Sequence, residues 1–311
     1  MRRIIFLNPF AKTEISGGIK TTYRHAELLS ELGFDAVVYQ PEGRPAWFET
    51  RARVITSESI AASRDDVLVF PEAINGPLVE LAQASTPAKK ILFCQAQYYA
   101  LFNAIPPEKY RDLGFDRVIC QSGIAKGFLE RVMRFKDVAV IPCFIDSSLF
   151  FPRTKVMQIA LIPHKLPREA AAISTVFRLK YPELASVPWQ IMEKRSERDI
   201  ADIFGRSTIV LSLPFLESFG LVPLEAMASG AIVVGFHGYG ALEYATDKNG
   251  FWFPADHIEE AADALARVVN GLNSGDEALA QMRKTGSETA AHYSKETTRS
   301  ALREFYSSLG N

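Results

Sequence analysis

The chain has 311 residues, of which 48% are hydrophobic, a length and core content that suit two domains rather than one. Its formal net charge is -1, so no global positive field exists to recruit nucleic acid or an anionic bilayer. No nucleic-acid partner is expected, and membrane contact is at most peripheral.

The opening MRRIIFLNPF carries Arg2 and Arg3, but its apolar run ends at Asn8 and Pro9, short of a secretory core or a membrane span. A cytoplasmic protein is the expectation. Short apolar runs (IIFL, AVVY, VLVF, ILFC, RVIC) then alternate with segments of helical period at 21–33, 77–84 and 122–133. That alternation predicts a parallel sheet wrapped by helices. After VAVIP, the segment CFIDSSLFFPRTK breaks the rhythm with Pro152 and a polar run, which places a domain boundary near Phe150. The second half restarts with strand QIALI, a helix over 169–179, strand VPWQIM and a helix over 197–204. It continues with strand TIVLSL, a helix after Gly220, strand AIVVGF and a final pair of helices. Both halves therefore read as doubly wound α/β units, with domains at 1–150 and 151–293. Cys94, Cys120 and Cys143 each sit inside an apolar stretch at wide spacing and read as buried, reduced fillers.

Several chemistries are absent. Gly238-Tyr-Gly240-Ala-Leu-Glu243 follows a strand, but Glu243 stands where a dinucleotide fingerprint needs its third glycine. There is no Walker sequence and no Gly-x-Ser-x-Gly elbow, and the histidines at 25, 164, 237, 257 and 292 are too scattered for a two-histidine zinc helix. No Asp-x-Asp occurs either, so the usual carboxylate clamp for a metal on a diphosphate is missing. No metal and no cofactor are expected. A bound diphosphate would be met by cationic side chains and helix N-termini.

The informative run is LPFLESFGLVPLEAMASGAIVVGFHGYGALEYATDKNGFW, from Leu213 to Trp252. Glu217 falls in the loop after a buried strand. Phe219, Gly220 and Leu221 offer unpaired backbone N–H groups at a helix start, where an anion is favoured. Glu225 lies further along, followed by the small apolar run AMASG, which argues against a purely solvated face. This is the chemistry of a nucleotide-sugar cradle. Taken singly, Glu217 could be a first-turn acid complementing the helix dipole and Glu225 a solvated helix residue.

Glu217 and Glu225, with seven residues between them in ESFGLVPLEAMASGAIVVG, resemble the donor-site motif of the retaining GT-B glycosyltransferases of the glycogen-synthase-like, group 1 superfamily, family four. Ser16-Gly17-Gly18 resembles the family's N-terminal Gly-Gly loop. IPCFIDSSLFFP resembles its interdomain stretch, and HYSKETTRSALREFYSSL its closing helix, which implies that 294–311 completes the N-terminal domain. The resemblance implies two Rossmann-like domains facing each other across a cleft, the GT-B fold. It implies that Glu217 contacts the donor near its transferred sugar and phosphate, and that Glu225 binds ribose hydroxyls. It further implies that Gly17 and Gly18 approach the donor phosphates, and that Gly238 and Gly240 let backbone approach the donor, with Glu243 at the matching position beyond.

The family's Arg and Lys after the first strand of the C-terminal domain fall where this chain reads Pro163-His164-Lys165-Leu166-Pro167-Arg168, without the usual spacing. Lys165 is the first candidate for the phosphate cation and Arg168 the second, with His164 beside them, because a metal-free site needs positive charge where the leaving group gains negative charge. Where many relatives carry a histidine after the strand ILFC, this chain reads Cys94-Gln95-Ala96-Gln97, leaving Gln95 or Gln97 as the polar substitute. The implied function is transfer of a sugar from a nucleoside diphosphate to a hydroxyl acceptor, with retention, in glycan or polysaccharide assembly. The rivals are a GT-B-fold epimerase or phosphorylase, and a nucleotide-sugar binding module without turnover.

Overall fold

A computed structural model describes residues 2–310. The chain divides into two compact units, one running to Cys143 and resuming at Glu296, the other spanning Phe144–Lys295. The division thus falls at 143/144, ahead of the boundary near 150 read from the prolines. The hydrogen bonds give the reason. Thr298 Oγ1 donates to the Pro142 carbonyl at 2.8 Å within the first unit, whereas the Ile145 N–H donates to the Tyr293 carbonyl at 2.9 Å within the second.

The first unit begins with β1 (Arg3–Leu7), α1 (Gly17–Glu31), β2 (Asp35–Tyr39), β3 (Val54–Ile55) and β4 (Val67–Pro71). It continues with α2 (Pro77–Gln83), β5 (Lys89–Cys94), β6 (Arg117–Cys120), α3 (Gly123–Arg131) and β7 (Val138–Val140). The strands form one parallel sheet in the order β3-β2-β1-β4-β5-β6-β7. Helices on both faces explain why β4 and β5 are almost continuously apolar; Leu68, Phe70, Leu92 and Cys94 are buried in one core. Strand order reverses between β1 and β4, and in such sheets ligands bind beyond the carboxyl ends at that point.

The second unit runs β8 (Val156–Leu161), α4 (Pro167–Lys180), β9 (Trp189–Ile191), α5 (Glu197–Arg206) and β10 (Ser207–Ser212). Then come α6 (Leu221–Ala228), β11 (Ile232–Phe236), β12 (Gly250–Phe253), α7 (Ile258–Ser274) and α8 (Glu277–Ala291). Its parallel sheet has the order β12-β11-β10-β8-β9, with the reversal between β8 and β10. The core joins Ile159, Ile209, Leu211, Val234, Phe177 and Leu265. The last helix, α9 (Lys295–Ser308), packs on the first unit, where Arg117 donates to Ser308 Oγ at 2.6 Å and lies over the Phe305 ring.

Both units are thus doubly wound α/β layers, as the alternation predicts. Two strands escape the sequence reading. Val54–Ile55 is a two-residue edge strand, and Gly250–Phe253 opens on glycine with half-buried aromatics, so neither shows the long apolar run of a central strand. All three cysteines are buried thiols.

Candidate active site

In the second unit, the reversal between β8 and β10 separates the loops that follow those strands. After β8 the chain passes through His164 and Lys165 and enters α4 with Pro167 as its first residue, a position that needs no N–H. After β10 it crosses Leu213–Gly220 and enters α6. The two loops meet at one ion pair, Lys165 Nζ to Glu217 Oε1 at 2.5 Å, with each side chain about one-third exposed. His164 and Arg168, both exposed, form no ion pair among the described residues. Of the cations named from sequence, geometry therefore brings Lys165 to Glu217 and leaves Arg168 apart, one helical step into α4.

The loop carrying Glu217 is clamped by the loop after β11. The Glu217 N–H donates to the Gly238 carbonyl at 3.0 Å, and the Tyr244 hydroxyl donates to the Gly220 carbonyl at 2.6 Å. A β-carbon at Gly240 would collide with the Phe219 amide nitrogen, and one at Gly238 would come within 2.6 Å of Pro214 Cβ. The sequence reading assigns these glycines to backbone approach toward a ligand; in the structure their first use is to let two loops touch backbone to backbone. Two non-glycine residues in the clamp, Leu216 and Tyr239, have positive φ of 51° and 70°. Such conformations cost of order 1–3 kcal/mol each and gather at functional sites.

Gly220, at φ +85°, precedes α6 and offers no side-chain cap, so the N–H groups of Leu221 and Val222 at the helix start receive no side-chain cap. The Phe219 ring is buried edge-on to Tyr244 and Tyr293, which leaves only its backbone for a ligand. Glu225 is 5% exposed inside α6. That burial sets aside the solvated-helix reading, since glutamate is almost never buried without partners. Glu243 ends the turn Gly240–Glu243 and is exposed.

In the first unit, Gly17 and Gly18 open α1 at the switch point between β1 and β4. Ser16 caps the helix, its Oγ accepting the Gly18 N–H at 3.2 Å. Gln95 lies against Gly18, and its amide is bracketed: Gln121 Nε2 donates to its Oε1 at 2.7 Å, and its Nε2 donates to Thr22 Oγ1 at 3.0 Å. The Gln95 N–H in turn donates to Glu72 Oε2 at 3.1 Å. Burial pushes the Glu72 carboxyl up to about 7. Glu72, Gln121 and Thr22 are absent from the residues named from sequence. A signal existed: a polar residue directly follows each of the apolar runs VLVFP, ILFC and RVIC.

Among the described residues no group of three or more His, Cys, Asp or Glu is placed to hold a metal ion, and no helix is long and apolar enough to cross a membrane.

A cation and a carboxylate are thus paired at a switch point of the second unit, which also holds a helix start without a side-chain cap and a second, buried carboxylate. Comparison with known proteins names the class. Residues 189–289 match the family model described as glycosyl transferases group 1, a span that holds Glu217, Glu225, Gly238, Gly240 and Glu243 but ends short of Lys165 on its N-terminal side. The chain is a glycosyltransferase with a group 1 domain in its second unit, and its two parallel-sheet units have the architecture of the GT-B fold. It is 26% identical over 277 residues to an alpha-1,6-glucosyltransferase of Actinobacillus pleuropneumoniae serotype 7, covering 86% of this chain and 83% of that one. In fold it resembles a glycosyltransferase from Rickettsia africae, at a TM-score of 0.71 and 16% identity, with 99% of this chain and 98% of that one covered. It likewise resembles the sucrose-phosphate synthase of Thermosynechococcus elongatus, at a TM-score of 0.73 and 14% identity, with 99% of each covered.

Proposed function

We propose that this glycosyltransferase moves a hexose from a nucleoside-diphosphate donor to a hydroxyl of a glycan acceptor, with retention at the anomeric carbon, in glycan or polysaccharide assembly. The observation that carries the reading is the Lys165–Glu217 pair at 2.5 Å, set beside the uncapped start of α6. Lys165 and the α6 amides meet the diphosphate, Glu217 takes a hydroxyl of the transferred sugar, and the buried Glu225 takes the ribose hydroxyls. In the transfer, the bond from the anomeric carbon to the β-phosphate oxygen breaks, and its electron pair leaves with the nucleoside diphosphate. The acceptor oxygen bonds to the same face of that carbon, and its proton passes to the departing phosphate. Charge therefore builds on the β-phosphate in the transition state, where a fixed ammonium acts most strongly.

The relative from A. pleuropneumoniae supports the sugar class and the stereochemistry, since its name specifies a glucose transferred into an alpha-1,6 linkage. An alpha linkage made from an alpha-linked donor is a retained configuration. No Asp-x-Asp is present in the chain, and Lys165 with the helix start stands in for a bridging metal.

The test is a thermal-shift panel of UDP, GDP, dTDP and ADP hexoses, in which a bound donor stabilises the fold by mass action, followed by transfer to glycan acceptors and NMR assignment of the product anomer. Activity is expected to persist in EDTA. An inverted product rejects retention, Mg²⁺-reversible loss in EDTA rejects the metal-free phosphate site, and donor binding without transfer to any acceptor returns the binding-module reading.

A further inference from the structure

Tyr244 ties the start of α6 to the interior of the second unit. Its ring is buried, edge-on to Phe219 at 5.7 Å between centroids, to Tyr293 at 5.9 Å and to Trp252 at 6.2 Å. Its backbone is held as well: the Tyr244 N–H donates to the Ala241 carbonyl at 2.9 Å, and the Tyr244 carbonyl accepts from Asn249 Nδ2 at 2.8 Å. A ring packed and anchored in this way carries its hydroxyl to one place. That place is the Gly220 carbonyl, to which it donates at 2.6 Å.

This bond sets the direction of an amide. The Gly220–Leu221 peptide is trans, so its N–H points the opposite way from its C=O. The plane of that peptide turns with ψ of Gly220, and a glycine, here at φ 85° and ψ 90°, restrains it less than any other residue. No side chain at the cap supplies the restraint. With the carbonyl held by a buried hydroxyl, the Leu221 N–H is directed away from the aromatic cluster. Burial falls off in the same sense, Gly220 being buried and Leu221 half-buried. Glu217, paired with Lys165, stands on the same loop.

We infer that Tyr244 is a positioning residue for the donor diphosphate, its hydroxyl fixing the direction in which the Leu221 N–H meets a phosphate oxygen; this rests on the glycosyl-transfer reading above. Hydrogen bonds weaken steeply as they bend, so an amide free to tilt gives up part of its hold on the anion. An amide fixed beforehand costs no reorganisation when charge grows on the leaving phosphate. Tyrosine suits the task because a buried phenol needs a partner for its O–H, and the rigid ring delivers that donor at a set distance from the packed cluster.

The experiment measures Kd for the nucleoside diphosphate and for the matching nucleoside, with kcat/KM for the preferred donor, in wild type and in Tyr244→Phe, Leu221→Pro and Trp252→Phe. Tyr244→Phe keeps the ring and its packing and removes the hydroxyl. Its Kd for the diphosphate should rise about fivefold or more and its kcat/KM fall about tenfold, while Kd for the nucleoside stays within about twofold, a split that a merely structural role would not produce. Leu221→Pro removes the amide itself at the first helical position, where proline is accommodated, and should show the same split. The double mutant should be little worse than the poorer single one, because both changes act through one N–H. Trp252→Phe loosens the same cluster and leaves the hydroxyl bond in place, so it should lower the unfolding midpoint without a diphosphate-selective loss. Wild-type diphosphate affinity and kcat/KM in Tyr244→Phe would overturn the inference while leaving glycosyl transfer intact, as would additive losses in the double mutant, equal losses for nucleoside and diphosphate, or the same selective loss in Trp252→Phe. A wild-type protein that binds the diphosphate no better than the nucleoside would overturn the inference together with the phosphate site of the proposed function.

Discussion

Lys165 Nζ and Glu217 Oε1 lie 2.5 Å apart, so the cation proposed to meet a phosphate and the carboxylate proposed to meet a sugar hydroxyl satisfy each other between the loops after β8 and β10. With both side chains about one-third exposed, such a pair contributes about 0–1 kcal/mol to stability. Its value lies in orientation: each partner fixes the direction of the other.

Removing either partner should therefore cost activity and leave the fold intact. Lys165→Ala is expected to lower kcat by about 10²-fold, the scale seen when one electrostatic stabiliser is lost, and Glu217→Gln to lose most transfer. The double mutant should be little worse than the poorer single one, because the two act as a unit. Arg168→Ala serves as control and should stay near wild type. Transfer kinetics beside thermal melts decide this, and a large loss in Arg168→Ala with an active Lys165→Ala would move the phosphate cation to Arg168.

Gly18 and Gly240 should respond to alanine in opposite ways. At Gly18 the new methyl meets Gln95 Oε1 and Ser16 Oγ only at 3.5 Å, ordinary contact distance, and alanine favours the helix it opens. Gly18→Ala is expected to fold normally and to lose affinity for the donor. At Gly240 the methyl would run into the backbone of the Glu217 loop, so Gly240→Ala should lower the unfolding midpoint. A Gly18→Ala protein with unchanged donor KM would remove the α1 start from the site.

Two buried groups in the first unit give opposite pH signatures. His25 stacks on Phe93 with neither ring nitrogen hydrogen-bonded, and burial pushes its imidazole from 6.5 down to about 3. Its folded value lies below the unfolded one, so its contribution is present above pH 6.5 and lost as pH falls toward 3. Glu72 runs the other way: burial raises it from 4.5 to about 7, so its contribution is full below pH 4.5 and lost as pH rises to about 7. His25→Phe should stabilise more at pH 5 than at pH 8, and Glu72→Gln more at pH 8 than at pH 5. Melting curves of the two variants at both pH values check the signs, and equal shifts at the two pH values would contradict the assignment.

Glu225→Ala should weaken nucleotide binding more than it slows transfer, since ribose contacts are alike in ground and transition states. Because Glu225 is 5% exposed within α6, the isosteric Glu225→Gln is the companion that separates lost binding from lost packing. Titration calorimetry with the nucleoside diphosphate measures it. A fall in kcat at unchanged affinity would place Glu225 at the reacting bond instead.

The sequence by itself determined the architecture of each unit and half of the site. Apolar runs such as VLVF and ILFC are buried on both faces of a parallel sheet, so their burial is written in composition, and the spacing of Glu217 and Glu225 around a helix start is local information. Only the tertiary structure decided which distant residues meet. Along the chain Lys165 is the first candidate cation and Arg168 the second, and it is the adjacency of β8 and β10 in the sheet that carries Lys165 to Glu217. Gly238 and Gly240 look like ligand-facing glycines until the clamp on Pro214 and Phe219 shows what a methyl group would strike. Glu72, Gln95 and Gln121 come together because three parallel strands end at one level, a relation between neighbours in space that no periodicity along the chain encodes. The strain at Tyr239 is likewise a product of loops pressed together, since a single sequence shows the residue but not the φ it is made to adopt.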